Sequence, residues 1–238
     1  QRLKMSSERG NSYASFLVGY LYEVGQEIKR DINESFKYYE RSSIQGDSKG
    51  LYRIGYCYHA GIGVEQDYDK AREYYEKAAE LNDSAAFFCL GFLYDEGQGV
   101  EVDYNKAREY YEKAAELDNS NALRNLGVLY DEGHGVEQDY NKAREYYEKA
   151  AELGNTDALC SLGSLYDEGH GVEQDYDKAR EYFEKAAELD NTTAIRYLGF
   201  LYYDGQGVEQ DYNKAREYYE KAAELGDADA LRNLGVLY

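Results

Sequence analysis

The chain has 238 residues, with 27 Lys and Arg against 47 Asp and Glu, a formal net charge of −20. That balance argues against a nucleic-acid backbone or an anionic membrane as the main partner. It fits a solvated acidic outer face, with a docking surface for basic partners as the alternative. There is no Pro and no Trp, but there are 29 Tyr, and no apolar run approaches the ~18 residues of a membrane-spanning helix.

Residues 1–11, QRLKMSSERGN, are polar and unpatterned and are expected to form a frayed lead-in. They hold neither an initiator Met nor the apolar core of a signal peptide. The last residue, Tyr238, falls inside a repeat, so both ends read as cuts and a targeting signal could lie outside. Cys57, Cys89 and Cys160 are odd in number and occupy different places in their repeats. A disulfide framework would repeat with the unit, so reduced thiols are expected; the compartment is left open, with the cytoplasm favoured over a secretory lumen. The sequons at Asn33, Asn82 and Asn191 carry little weight, because turns favour Asn, Ser and Thr for capping.

From residue 12 one pattern repeats. Its glycine stands at Gly19, Gly55, Gly91, Gly127, Gly163, Gly199 and Gly235, every 36 residues without slippage. A fixed period in this range is the mark of a solenoid. The fold class expected is all-α, with antiparallel helix pairs in six complete units plus a half unit, in one solenoid over residues 12–238. In the fourth unit Ser120 or Asn121 can cap helix A, along which Ala122, Leu126, Leu129 and Tyr130 follow at helical spacing. Gly133-His134-Gly135 stops it, and Asp139 caps helix B. In helix B, Ala143, Tyr147 and Ala150 form the stripe to be buried, and Glu145 with Lys149 is an i,i+4 pair. The spacing predicts A helices at Ser84–Glu96, Ser120–Glu132 and Thr156–Glu168, and B helices at Tyr104–Leu117, Tyr140–Leu153 and Tyr176–Leu189. Unit one is atypical: Ser42-Ser43 replaces Ala-Ala, and the loop Gly25-Gln26-Glu27-Ile28 lacks the second glycine.

The run A-x-x-x-L-G-x-x-Y, then G-x-G-V, then D-Y-x-K-A-x-x-Y-Y-x-K-A-A resembles the Sel-1-like repeat family, relatives of tetratricopeptide repeats, over residues 12–238. The resemblance implies a right-handed superhelix with A helices lining the concave side, and adaptor or assembly-scaffold work. The contexts it implies include endoplasmic-reticulum quality control, bacterial secretion and host contact, and regions attached to kinases. The family usually carries Trp-Tyr in helix B; here Tyr74-Tyr75, Tyr110-Tyr111 or Tyr182-Phe183 stands there, a change of packing detail. The regular cysteine pair of the cysteine-rich bacterial subgroup is missing.

Nothing in the sequence has the pattern of a catalytic or cofactor site. The G-x-G follows a helix rather than a strand and precedes no Gly-Lys-Ser/Thr. His134 and His170 share a loop position, but a metal site wants three or four convergent ligands, so no metal and no cofactor is expected. No pair of carboxylates has environments that would split their pKa values, and no nucleophile constellation is present.

The informative signal is variation. Counted from the repeat glycine, helix A is steady at −5, −1, +2 and +3 and changes at −3, −2 and +1. These changing positions share a face, expected opposite the buried stripe and pointing into the groove. Units one to three place Phe16, Tyr20, Tyr52, Tyr56, Phe88 and Phe92 there. The later units place Arg124, Asn125, Arg196, Tyr197, Phe200, Arg232 and Asn233. Aromatics with Arg suit a binding surface, and Arg beside Asn can grip a carboxylate, as in the clamp of some tetratricopeptide domains. Drift at exposed sites would give the same variation, and the Arg residues could instead pair with Glu of helix B.

The expected function is a non-enzymatic interaction scaffold or adaptor that binds a protein or peptide in the groove. The alternative is an architectural spacer or a regulatory repeat region of a larger protein, for example one attached to a kinase. The half unit, with Leu231, Leu234, Gly235 and Tyr238 short of cover, is expected to allow head-to-tail self-association.

Overall fold

A computed structural model of the chain describes residues 1–237. Among the described residues every regular element is an α-helix. The A helices are α2 (Ser12–Val24), α4 (Ser48–Ala60), α6 (Ser84–Glu96), α8 (Ser120–Glu132), α10 (Thr156–Glu168), α12 (Thr192–Asp204) and α14 (Ala228–Leu237). The B helices are α3 (Ile32–Ile44), α5 (Tyr68–Ala79), α7 (Tyr104–Ala115), α9 (Tyr140–Glu152), α11 (Tyr176–Ala187) and α13 (Tyr212–Glu224). The helices gather into two compact units, Gln1–Asn119 and Ser120–Tyr238. Within each, every helix packs on its neighbours in sequence, which makes the architecture an all-α solenoid of helical hairpins.

The three A helices agree with the sequence-based ranges, whereas the B helices end one or two residues early. The reason is the turn that follows. Asp118 and Asp190 take φ +57° and Gly154 takes φ +84°, and a helix unwinds ahead of a residue held in the left-handed region. The B helices start where expected: the Asp139 carboxylate accepts the backbone N–H groups of Asn141 and Lys142. The cap of an A helix is the Asp or Asn just ahead of it, as Asn155 shows by accepting from the Ala158 N–H at 2.9 Å.

The lead-in is helical rather than frayed. α1 (Arg2–Glu8) packs on α2, and its buried Ser7 shares a 2.7 Å hydrogen bond with Ser15. The repeat register runs back through it, Ser6-Ser7 and Gly10-Asn11 aligning with Ser42-Ser43 and Gly46-Asp47.

Each hairpin closes on one contact. A Cβ built on the helix-A glycine would lie 2.7 Å from the Tyr39 ring at Gly19, 2.5 Å from Tyr111 at Gly91 and 2.4 Å from Tyr147 at Gly127. The glycine gives up a side chain so that the second aromatic of helix B can lie flat on the helix-A backbone. Tyr39, Tyr75, Tyr111, Tyr147, Phe183 and Tyr219 are thereby almost wholly buried, with Ala143 and Ala150 beside Tyr147 as the spacing predicts. The first aromatic of the pair stacks on the tyrosine of helix A's last turn. Tyr58–Tyr74, Tyr130–Tyr146 and Tyr202–Tyr218 have centroids 5.7–5.8 Å apart and planes 12–13° apart. The absent tryptophan is thus replaced by paired rings, with lysines over both rings of Tyr58–Tyr74 and Tyr130–Tyr146 and over Tyr202. At Lys149 the ammonium lies over the Tyr146 ring, and the ion pair expected with Glu145 forms instead at its repeat-two counterpart, Glu73–Lys77, 2.6 Å. Exposed pairs of this kind contribute little, and Lys77 keeps its place over the Tyr74 ring while it holds the pair.

The second loop glycine sets the stacking of one hairpin on the next. A Cβ at Gly171 would lie 2.6 Å from the Tyr140 Cβ, and one at Gly99 would lie 2.4 Å from that of Tyr68.

Gly127→Ala should lower the melting midpoint by the equivalent of about 1–3 kcal/mol, the usual cost of overpacking. Gly235→Ala, with no atom within 4 Å of its Cβ, should leave the midpoint unchanged or raise it, since Gly inside a helix costs roughly 0.5–1 kcal/mol against Ala. Equal effects at both sites would show that the ring contact does not set the requirement for glycine.

Candidate functional site

The changing positions lie on a half-buried face beside the stripe, not opposite it as the helical spacing suggested. The −3 side chain rests on the buried ring of its own repeat, with centroids 5.9 Å apart for Phe16–Tyr39, 6.0 Å for Tyr52–Tyr75 and 5.9 Å for Phe88–Tyr111. The hairpin brings helix B close enough for long −3 side chains to reach over its edge.

In unit 1, Tyr20 is exposed, and Phe16, Tyr52, Tyr56, Phe88 and Phe92 are half-buried. Tyr52 and Tyr56 lie 6.5 Å apart, and Phe88 and Phe92 lie 6.4 Å apart. Burial pushes the Tyr52 phenol up to about 12. Arg53 belongs with them, its guanidinium 5.4 Å from the Tyr39 ring and 5.0 Å from that of Tyr56. It ion-pairs with Glu23, which also accepts the Tyr39 O–H. His59 stacks on Phe92 at 6.2 Å. Arg53 sits at the changing −2 position, so the sequence signal that marked its neighbours could have found it.

In unit 2, Arg196 donates its Nε to the Asp227 carboxylate at 3.2 Å, and both side chains are largely buried. Asp227 also accepts from the Ala230 N–H and so caps α14. Tyr197, with Arg196 over it at 5.2 Å, stacks on Phe183 at 4.9 Å, and Phe200 meets Tyr219 edge-on at 5.9 Å. Arg232, well exposed, pairs with Asp229 on its own helix at 3.2 Å. Asn233 is half-buried with its Nδ2 unpartnered. Arg124, half-buried, gives Nη1 to the Asn125 Oδ1 at 3.3 Å, while its Nε has no partner. Arg196 and Arg232 therefore pair with Asp residues on α14 or at its cap, not with helix-B Glu. Leu231 and Gly235 of the α14 stripe are exposed, Leu234 is half-buried, and Tyr238 lies outside the described residues.

Among the described residues no group of three His, Cys, Asp or Glu is placed to hold a metal. His134 and His170 face Glu132 and Glu168 at 3.1 and 3.0 Å. The three thiols are buried and unbridged, and burial pushes Cys57 up to about 11 and Cys89 and Cys160 up to about 12, far from the thiolate a nucleophile requires. Shallow hollows of about 580 and 480 Å³ recur at the loops, lined by Tyr166, Arg144 and Lys178 in one repeat and by Tyr202, Arg180 and Lys214 in the next.

Asp167 stands out among the carboxylates. Tyr111 and Tyr147 donate their O–H groups to Asp95 and Asp131 at 2.9 and 3.0 Å. In repeat five the ring is Phe183, and the Asp167 Oδ1 is left buried without a partner. Burial raises that carboxyl above its ordinary value, with Glu168 and Asp204 adding to the effect.

Stacked helical hairpins with a glycine-bearing loop and no catalytic constellation among the described residues define an α-solenoid repeat protein. The family model described as Sel1 repeat matches residues 12–47, 48–83, 89–119, 120–155, 156–191 and 192–227; the chain belongs to the Sel1 repeat family. It is similar to a Sel1 repeat protein from Oxalobacter formigenes, with 34% identity over 91% of this chain and 89% of that one and a TM-score of 0.84. It is also similar to a protective antigen of uropathogenic Escherichia coli strains that displays an SLR fold, with 36% identity over 99% of this chain and a TM-score of 0.82. The chain spans 50% of that protein's length. The APC/C hetero-tetramer Cut9–Hcn1, at 16% identity and a TM-score of 0.67 over 100% of this chain and 46% of that one, shares the fold alone. No curated protein matches the sequence. Sel1 repeat proteins are generally protein-interaction scaffolds.

Phe183→Tyr should supply the missing donor and stabilise the fold by about 1 kcal/mol, the net worth of a typical hydrogen bond. A carboxyl with a raised folded pKa loses stability as pH rises through that pKa, so the gain should be smallest in acid and grow toward neutral pH. Melting curves of both proteins between pH 3 and 7 check this; a gain independent of pH would locate its source away from Asp167.

Proposed function

We propose that the chain is a non-enzymatic interaction scaffold in which each unit binds a peptide or partner segment on its helix-A face. One observation carries the reading. Helix B and the loops are near copies from repeat two to repeat six, while the −3, −2 and +1 side chains of helix A form a different triplet in each of the first six repeats, the half repeat returning to the Arg-Asn-Val of repeat four, and fall on one largely half-buried face. A constant frame under a changing face is what recognition of different side chains along a partner calls for. Unit 1 offers aromatic anchors, and unit 2 offers Arg, Asn and two aromatics; these are residue types that concentrate binding energy. Such a chain would bind proteins rather than nucleic acid, by its charge. Among the described residues no helix is long and apolar enough to cross a membrane.

Selection of random 12-mer peptides displayed on phage against the immobilised chain tests this. Tyr20→Ala with Tyr56→Ala should weaken the peptides held by unit 1 about tenfold or more, the equivalent of 1.4 kcal/mol. Glu109→Ala with Glu145→Ala, on exposed helix-B surface, should leave binding unchanged. Selected peptides that ignore both pairs, or a selection that yields none, would favour the spacer or regulatory-region alternative.

The exposed Leu231 and Val236 of α14 support a separate proposal, head-to-tail self-association of the 238-residue chain: Leu231 is 61% exposed where its register mates Leu123 and Ile195 are buried. Sedimentation over a concentration series should show a rising mean mass, and a single monomeric species throughout would dismiss it.

A further inference from the structure

The −3 side chain has a regular neighbour, the cap of the next A helix, 31 residues on. In repeat five the Cys160 Sγ donates to the Asn191 Oδ1 at 3.2 Å, and in repeat six the Arg196 Nε donates to the Asp227 Oδ2 at 3.2 Å. In repeat four the residue 31 on from Arg124 is Asn155, which is neutral and already committed. Its Oδ1 accepts the Ala158 N–H and its Nδ2 donates to Asn121. Arg124 keeps one weak bond, to Asn125, and a buried Nε–H that nothing satisfies. Among the described residues no carboxylate lies within ion-pairing distance of it, in a chain with 47 Asp and Glu.

We infer that Arg124 is the group through which unit 2 recognises a partner, and that it takes an Asp or Glu side chain of a bound peptide. The inference rests on the helix-A face being the binding face. Arg196 shows what the site lacks: at this register a guanidinium turns its Nε edge to a carboxylate. Nη1 gives its one bond to Asn125 and Nε is buried, so a partner's carboxylate is met by the guanidinium's Nη groups through charge-assisted hydrogen bonds. Arg232 is a poorer candidate, because Asp229 already neutralises it. The half-buried setting strengthens the pairing over one in open solvent. The net charge of −20 works against a strongly acidic partner, so the peptide carries its single acid within a neutral or basic segment.

The experiment uses the whole chain. Random 12-mers on phage are selected on it. The recovered peptides are synthesised with each acid as such and as its amide, and affinities are read by fluorescence anisotropy. On the wild-type chain the acid-to-amide change should weaken binding tenfold or more. On Arg124→Gln it should cost twofold or less. Asn155→Asp supplies the carboxylate internally while keeping a competent cap, as Asp83 and Asp227 are. It should reduce the acidic peptide's affinity without lowering the melting temperature, and it decides the matter even if Arg124→Gln folds poorly. Peptides that bind through Tyr197 or Phe200 yet are indifferent to the acid and to both variants overturn the carboxylate assignment and leave the binding face standing. If no recovered peptide depends on the helix-A face of either unit, the binding face itself falls, and this assignment with it.

Discussion

Everything in each hairpin follows from the absence of one side chain. The helix-A glycine lets an aromatic ring lie against the backbone of the facing helix, which fixes how far apart the two helices stand and where helix B sits along helix A. The alanines around the ring are the size that this spacing permits. Close packing leaves no slack for a methyl group at such a point, so the spacing is held in every repeat where a ring is present. The half-buried face inherits its geometry from the same contact, because its −3 side chains are laid on the ring the glycine admits.

Polar wiring then settles what packing leaves open. Caps made by Asp and Asn serve two helices at once: they satisfy the first turn of their own A helix and accept from the −3 side chain one repeat earlier, as Asn191 and Asp227 do. A charge placed at −3 is therefore judged by the cap ahead of it. Arg196 meets an acid and becomes part of the frame, whereas Arg124 meets an amide and does not. Two identical residues in the same register thus hold different offices.

The period of 36 made the fold legible, since a repeat that never slips leaves few ways to bury its stripes. Helix starts were legible from their capping chemistry. Helix-B ends were less so, because they depend on a left-handed turn taken by Asp118 or Asp190 as readily as by Gly154. The helical lead-in was missed because its polar composition hides a register that only Ser6-Ser7 and Gly10-Asn11 betray. Among the candidate residues the varying face was readable from the differences between copies. The partner of Arg196 was not, for Asp227 lies 31 residues away and meets it only through stacking. A separation of 30 residues likewise hid Glu23 beneath Arg53, a pair that spans two repeats.

The second loop glycine carries a consequence for how such a chain can change. Gly99, Gly171 and Gly207 each admit the Cβ of the tyrosine that opens the preceding helix B, and Gly63 admits the Ile32 side chain at the same place. The joint between neighbours is thus a standard fitting. Gene duplication or loss of a whole 36-residue block leaves each remaining joint with its usual partners, while a deletion of a few residues breaks a joint on either side of the cut. Length can evolve in quanta, and the positions that face a partner can diversify one block at a time without renegotiating the joints between blocks.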